Sequence, residues 1–571
     1  MIPIHNNSQG QKAPAFDAIV VGSGISGGWA AKELCEKGLK TLVLERGRNV
    51  RHIVDYPTTE TNVWEFPYRL SSVKQDREQN PVQSSCPVYN EATKHFFVND
   101  QEHPYIQEKP FSWIRGYQVG GRSLTWARQC YRLSELDFEA NAKDGLAVDW
   151  PIRYRDIAPW YDYVEKFVGI SGQAEGLPHF PDGQFLPPMD LNCVEKHLKQ
   201  QVSRQYKDRV ITVGRVANLT RGWNGRGPCQ HRNLCNRGCP YGGYFSSNSG
   251  TLPVAAATGN LTLQPDSIVA EVLFDEHKNR ATGVRVINAI THEVTDYFAR
   301  IIFLNASTIA TTSILLNSVS SRFPNGLGNS SGQIGHNLMD HFMMGGAQGI
   351  FEGFEDQYYN GRRPTGFYVP RFRNISPETQ HKDYLRGFGY QGRGERAEWG
   401  DLFRSAAGFG ESLKQTLTKP GPWNVVMGAW GETLPYFDNQ VTLDDSKRDQ
   451  WGLPLVRVHF TYRENEKNMR EDIKDSAAEM LERSGFKNVE KFYYDQPPGS
   501  AIHEMGTARM GRDPKTSVLN AFNQMHDVKN VYITDGSCMT SAACQNPSLT
   551  YMALTARACA HAVSELNKLN L

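Results

Sequence analysis

Three places in this chain combine residue types and spacings that do chemistry. The first is Gly22-x-Gly24-x-x-Gly27, extended by Gly28, which follows an apolar run and opens a helical pattern. Gly22 permits a tight turn, Gly24 lets the backbone approach a pyrophosphate, and Gly27 lets the helix lie close to a sheet. The helix start, with Ile25 and Ser26, presents N–H groups that attract phosphate. Glu45 ends the next apolar run, where a carboxylate can accept the ribose hydroxyls of an adenosine, and Arg46 follows it. The second place is a loop rich in Arg, Asn and Gly that holds Cys229, Cys235 and Cys239, the last followed by Pro240. Thiolates so spaced can converge on a [3Fe–4S] cluster, or on zinc with His231 as a fourth ligand; packed thiols or a disulfide are the plain alternative. The third is His503, within Ile502-His-Glu-Met-Gly-Thr507 and shortly before a buried strand that ends in Asp535-Gly536. An imidazole, with an ordinary pKa of about 6.5, suits removal of a proton from a hydroxyl.

The elements that must position these residues change character along the chain. Residues 16–22 and Thr41–Glu45 read as buried parallel strands, joined by a helix at 26–37 that Gly38 stops. Residues 48–110 are polar and rich in Pro, Gln and Asn, a long excursion with little regular structure, suited to a lid or a subunit contact. The spacing of Tyr154, Ile157, Trp160, Tyr161, Tyr163 and Val164 predicts an amphipathic helix pair over 151–168. Short alternating runs predict antiparallel strands over 260–304, ending in a buried strand at 301–305, with a helix from about Thr311 to Asn317. Residues 345–500 are Gly- and aromatic-rich, carry strand-like runs and a helix from about Glu464 to Ser484, and read as a second domain. A buried strand at Val531–Asp535 and a helix from about Ser548 to Leu569 close the chain.

Charge is balanced, 62 Lys and Arg against 61 Asp and Glu, which removes the electrostatic case for nucleic acid or an anionic membrane. No run approaches the ~20 apolar residues of a membrane span. The first residues lack the basic and apolar regions of an export signal. The expectation is a soluble, cytoplasmic chain, or a periplasmic one carried by a partner that bears the signal.

The glycine fingerprint alone does not separate NAD from FAD. One such unit is present, and the chain returns near its end to a strand tipped by Asp535-Gly536, which suits the long ribityl-pyrophosphate of a flavin. On five segments in order, the chain resembles the glucose–methanol–choline (GMC) oxidoreductases. These are Gly22–Gly28 with Glu45; Val119-Gly-Gly-Arg-Ser-Leu-Thr-Trp126; Ile334-Gly-His-Asn-Leu-Met-Asp-His341; His503–Gly511; and Asp535-Gly536 through Gln545-Asn546-Pro547. Among them it is most similar to bacterial sugar dehydrogenases, including glucoside 3-dehydrogenases, and to pyranose oxidases.

The resemblance implies an α/β fold, a Rossmann-like FAD-binding domain with a second α+β substrate domain on an antiparallel sheet. The FAD-binding parts would be 14–145, 225–344 and 501–571, and the substrate parts 146–224 and 345–500. Gly120, Gly121 and Ser123 would line the flavin, Val269 the adenine end, and Asp535 and Gly536 the pyrophosphate and ribityl region, with Asn546 and Pro547 beside the ring. Pyranose 2-oxidases attach flavin covalently through a histidine whose place here is Thr125, so the expected FAD is non-covalent. His503 would act as base while the hydride passes to flavin N5. Asn546 would donate its amide N–H to the substrate oxygen. His341 reads as structural; Trp126 and Tyr551 could touch flavin or sugar, with core aromatics as the favoured reading. Some flavoprotein sugar dehydrogenases carry an iron–sulfur cluster at a similar Cys-Pro ending, which would send electrons to a cytochrome, with a small subunit as a further partner. The expected reaction oxidises a sugar or glycoside hydroxyl to a ketone, at C3. An oxidase making hydrogen peroxide and a gluconate or polyol dehydrogenase flavoprotein subunit are the alternatives.

Overall fold

The computed structural model describes residues 16–70, 72–359, 366–396, 408–418 and 420–571. Five strands form a parallel sheet in the order Leu261–Gln264, Thr41–Leu44, Phe16–Val21, Val294–Leu304 and Val531–Ile533. Both faces of the Phe16–Val21 strand are covered: Ile19 and Val21 enter one apolar core, Ala18 and Val20 another. That is why it reads as a continuous apolar run. Val294–Leu304 serves two sheets. Its first half pairs antiparallel with Arg280–Asn288, which pairs with Ser267–Asp275; its last six residues pair with Phe16–Val21.

Two sequence-level expectations are corrected. Leu261–Gln264 joins the parallel sheet, because a half-buried edge strand alternates whichever direction it runs. Residues 151–168 form one helix, Tyr154–Val168, through Pro159, because Ile157, Tyr161, Val164 and Val168 make one continuous buried face.

The carboxyl ends of the parallel strands lead into Gly22, Glu45, Asn305 and Asp535, the edge where open α/β sheets bind ligands. The helix Ile25–Glu36 starts there.

A six-stranded antiparallel sheet runs in the order Lys487–Tyr493, Phe342–Phe351, Trp423–Gly431, Phe388–Arg396, Phe367–Val369, Thr212–Val213. Period-2 alternation gives it two different faces. Val425, Met427, Ala429 and Tyr390 pack beneath the helix Glu464–Arg483, whose Met469, Ile473, Ala477 and Met480 fill the same core. Val426, Gly428, Trp430, Gln391 and Arg393 face a cavity instead. Among its described residues, the excursion over 48–110 holds short helical turns and one short strand, Ile106–Gln107, which joins Pro454–His459 and Gln440–Arg448 in a small third sheet. Among the described residues no helix is long and apolar enough to cross a membrane.

Candidate active site

A cavity of about 680 Å3 runs from the carboxyl ends of the parallel strands to the open face of the antiparallel sheet. Gly22, Gly24, Ile25, Ser26, Glu45, Arg46, Gly121, Ser123, Val269, Asp535, Gly536, His503, Asn546 and Pro547 all line it. Gly27 and Gly120 shape it from behind. A Cβ on Gly27 would stand 1.9 Å from the Gly22 carbonyl oxygen, and one on Gly120 would stand 1.7 Å from Asn248 Oδ1. Gly24 differs: a Cβ there meets nothing of the protein within 4 Å. The space it keeps open lies in the cavity, at the helix start.

The lining fits FAD. Arg46 Nε, Asn305 Nδ2 and Tyr551 Oη are buried, all belong to lining residues, and among the described residues none has a hydrogen-bond partner. Buried donors without partners cost free energy unless a ligand satisfies them. The Arg46 guanidinium lies 4.9 Å from the ring centres of both Tyr117 and Trp451, which fixes it at the mouth of the nucleotide end. Glu45 accepts hydrogen bonds from Ser23 N–H and Gly47 N–H, and burial raises its pKa. Trp126 and Tyr551 pack against the main apolar core and also line the cavity.

At the other end, two distant segments bring the imidazoles together. Met339 and Met505 exchange backbone hydrogen bonds at 2.9 and 2.8 Å. Asp340 accepts the backbone N–H groups of Gly499, Ala501 and His503 at 2.9, 3.3 and 3.0 Å. Its burial, with Glu504 nearby, pushes its pKa up to about 7. Ile502 sits at φ 63, a strained conformation for a β-branched residue, immediately before His503. Glu504 is held by a two-pronged pair with Arg122, at 3.2 and 2.9 Å, tying the glycine-rich segment to the same turn.

His341 was expected to be structural, yet its Nδ1 lies 2.9 Å from Nδ1 of His503. The proton positions follow from what each partner can do. The Ala542 carbonyl, 3.5 Å from His341 Nε2, can only accept, so Nε2 carries the hydrogen. Burial pushes the His341 pKa down to about 4, so its Nδ1 is bare and accepts from His503 Nδ1–H. Burial, then His341, then Arg122 hold His503 well below the usual histidine value. His503 Nε2 is therefore a bare lone pair at the cavity. Asn546 Nδ2 stands 3.4 Å from it, and Gln391 Nε2 donates to Asn546 Oδ1 at 2.7 Å. Hydrogen bonds thus run in one direction: Gln391, Asn546, His503, His341, Ala542. Sequence reasoning missed Gln391 and Arg122. Arg122 lies within the Val119–Trp126 segment but was given no role there, and for Gln391 only the polar alternation with Arg393 in a Gly-rich strand points to a lined face.

The cysteine trio lies apart, around a second cavity of about 30 Å3 that His231 also lines. All ten cysteines are free, which removes the disulfide alternative. Among the described residues no set of three or more His, Cys, Asp or Glu side chains is placed to hold a metal ion. The zinc reading with His231, which needs ligands at about 2.0–2.3 Å, is corrected accordingly. The expected [3Fe–4S] site likewise finds no ready-made ligand set.

Comparison with known proteins agrees with this geometry. Family models described as GMC oxidoreductase match residues 16–343 and 435–555. The chain belongs to the GMC oxidoreductase family and is an FAD-dependent oxidoreductase acting on CH–OH groups. It is 27% identical to a 2-methyl-1,2-propanediol dehydrogenase of Mycolicibacterium austroafricanum, over 96% of this chain and 95% of that protein. It is 24% identical to the fructose dehydrogenase large subunit of Gluconobacter japonicus, over 97% and 98%. The fold is shared with crystalline pyridoxine 4-oxidase from Mesorbium loti, with a TM-score of 0.60 and 13% identity, covering 96% of this chain and 99% of that one.

Proposed function

We propose that the protein oxidises a ring hydroxyl of a sugar or glycoside to a ketone, the C3 hydroxyl of a pyranoside giving a 3-keto sugar, with His503 as base. The observation that carries this reading is the one-way chain of hydrogen bonds that leaves His503 Nε2 bare beside the Asn546 N–H. A hydroxyl between them can give its proton to Nε2 while its oxygen accepts from Nδ2, which steadies the developing negative charge. Bound FAD would supply the acceptor for the hydride, which carries both electrons. His341 keeps the His503 tautomer fixed, and Glu504 with Arg122 holds the turn that presents it. The sugar is favoured by a wall that mixes Gln129, Gln391, Arg393 and Asn546 with Trp126, Trp430 and Phe492. Polar groups there meet hydroxyls, and rings meet the apolar faces of a pyranose. A diol and a sugar are also what the two relatives' names specify.

Thr125 faces the cavity where a covalent imidazole link would be needed, and a hydroxyl supports non-covalent FAD. For re-oxidation we propose a cytochrome or a small subunit as electron acceptor; the cysteine loop, which offers no metal-ligand set among the described residues, has no part in that reading.

The test is anaerobic bleaching of the flavin band by a panel of sugars, with NMR of the products. The reading expects glucosides to bleach it and a 3-keto product to appear. Bleaching by gluconate or simple polyols alone would favour the dehydrogenase-subunit alternative, and peroxide release in air would favour an oxidase.

A further inference from the structure

Gln391 lies outside every motif of the sequence, and the two ends of its amide face different things. Its backbone is fixed in the interior of the six-stranded sheet, opposite Tyr368 on one side and Gly428 on the other. The side chain is on the cavity face, shared with Arg393, while Tyr390 enters the core. Nε2 donates to Oδ1 of Asn546. Among the described residues, Oε1 accepts no hydrogen bond, and it belongs to a cavity-lining side chain.

An asparagine amide can present either end to its surroundings, since nitrogen and oxygen differ little in shape. Turned one way, Asn546 donates at the reacting centre. Turned the other, its Oδ1 would oppose the bare Nε2 of His503, lone pair against lone pair. The Gln391 N–H and the bare imidazole nitrogen together admit the donating orientation. The Gln391 Oε1 then stands one amide further along the wall. A substrate that carries a second hydroxyl beside the reacting one can offer it to this free acceptor.

We infer that Gln391 is a specificity-determining residue: its N–H holds Asn546 in the donating orientation, and its Oε1 accepts from a second hydroxyl beside the one oxidised. The inference rests on the proposed oxidation of a sugar hydroxyl and narrows the substrate class to vicinal diols within that reading. A site built to hydrogen-bond a hydroxyl rejects the analogue that lacks it by factors of about 10^4 or more in favourable cases, because its own polar group is left unpaired. A simple alcohol would therefore be a poor substrate even where it fits.

The experiment uses holoenzyme and three probes: methyl glucoside, its 2-deoxy derivative and its 4-deoxy derivative. Anaerobic flavin bleaching is followed in the wild type, Gln391→Leu and Gln391→Glu. The wild type should prefer the parent over one deoxy derivative by roughly 10^3-fold. Gln391→Leu should lose about 10^2-fold in kcat on the parent and keep little of that preference, with an unchanged melting temperature. Gln391→Glu gives a readout that a merely structural role would not move. As a carboxylate it cannot donate to Asn546 Oδ1, so it should be nearly inactive at neutral pH. Protonated, its O–H donates again, so its rate should climb as pH falls, opposite to the wild type. The charged and titratable neighbours in this arm are Arg393 on the same face and His503 beyond Asn546; His503 stays neutral because its pKa is held low. If Gln391→Leu bleaches at the wild-type rate with the full deoxy preference, the inference is overturned alone. If no glucoside bleaches the wild type, the sugar reading fails and takes this inference with it.

Discussion

The two ends of the long cavity are built by opposite means. The nucleotide end is made of backbone: Gly22 at φ 92, Gly27 pressed on the Gly22 carbonyl, and Gly24 open to the cavity. The glycine part of that design is contained in one strand–turn–helix, so it follows from local sequence, although Arg46, Asn305 and Asp535 complete the lining. The reacting end is made of side chains from four places far apart in the chain, His341, Gln391, His503 and Asn546. There the design is a direction of hydrogen bonds, which exists only once the sheets are assembled. A ligand's charge can be met by fixed N–H dipoles, whereas a proton must be met by a group whose protonation state is set.

The sharpest way to break this contrast is at the glycines. Gly24→Val should abolish FAD binding and all activity while leaving the fold intact, because its Cβ enters the cavity and touches no protein atom. Flavin absorbance and circular dichroism check this, and a yellow Gly24→Val protein would contradict it. Gly27→Ala should instead destabilise the protein itself, since its Cβ meets a backbone oxygen that cannot move aside. A melting temperature equal to the wild type would refute that assignment.

The reacting end should yield smaller and more specific losses. His341→Leu leaves His503 Nδ1–H without its acceptor and frees the tautomer, so kcat should fall roughly 10–100-fold, less than the ~10^2–10^4-fold that a general base itself contributes. Flavin content should not change. Stopped-flow flavin reduction reads the difference, and an unchanged rate would return His341 to a structural role.

The smallest expected effect is a shift along the pH axis. His503 must be unprotonated to accept a proton, and burial, His341 and Arg122 lower its pKa. Wild-type kcat/KM should therefore hold steady down through the ordinary histidine range and fall only below it. Arg122→Gln removes a positive charge that disfavours the imidazolium, so the acid limb should move to higher pH. A limb that stays put would show that burial and His341 set the pKa without it.

Legibility in the sequence divides along the same line. Gly22, Gly24, Gly27 and Glu45 were legible because each is required by its immediate neighbours in the chain. His503 and Asn546 were legible only through their motifs. The contact of His341 with His503 is not legible, because nothing local says that residues 339–341 lie against 499–505; that pairing is made by backbone bonds and the Asp340 carboxylate. Gln391 is one polar residue on a strand, and its role comes from the loop that reaches over it. The antiparallel meander over 267–304 was legible from alternation, whereas the direction of Leu261–Gln264 was not, since pairing direction leaves no trace in a half-buried pattern.

The claim on which the rest depends is that His503 Nε2 removes the hydroxyl proton. Its most direct test is anaerobic flavin reduction by a saturating substrate in wild type and His503→Ala, both with full FAD. The account predicts a fall of about 10^3-fold with unchanged FAD affinity. Reduction in His503→Ala within a few-fold of the wild type would contradict it.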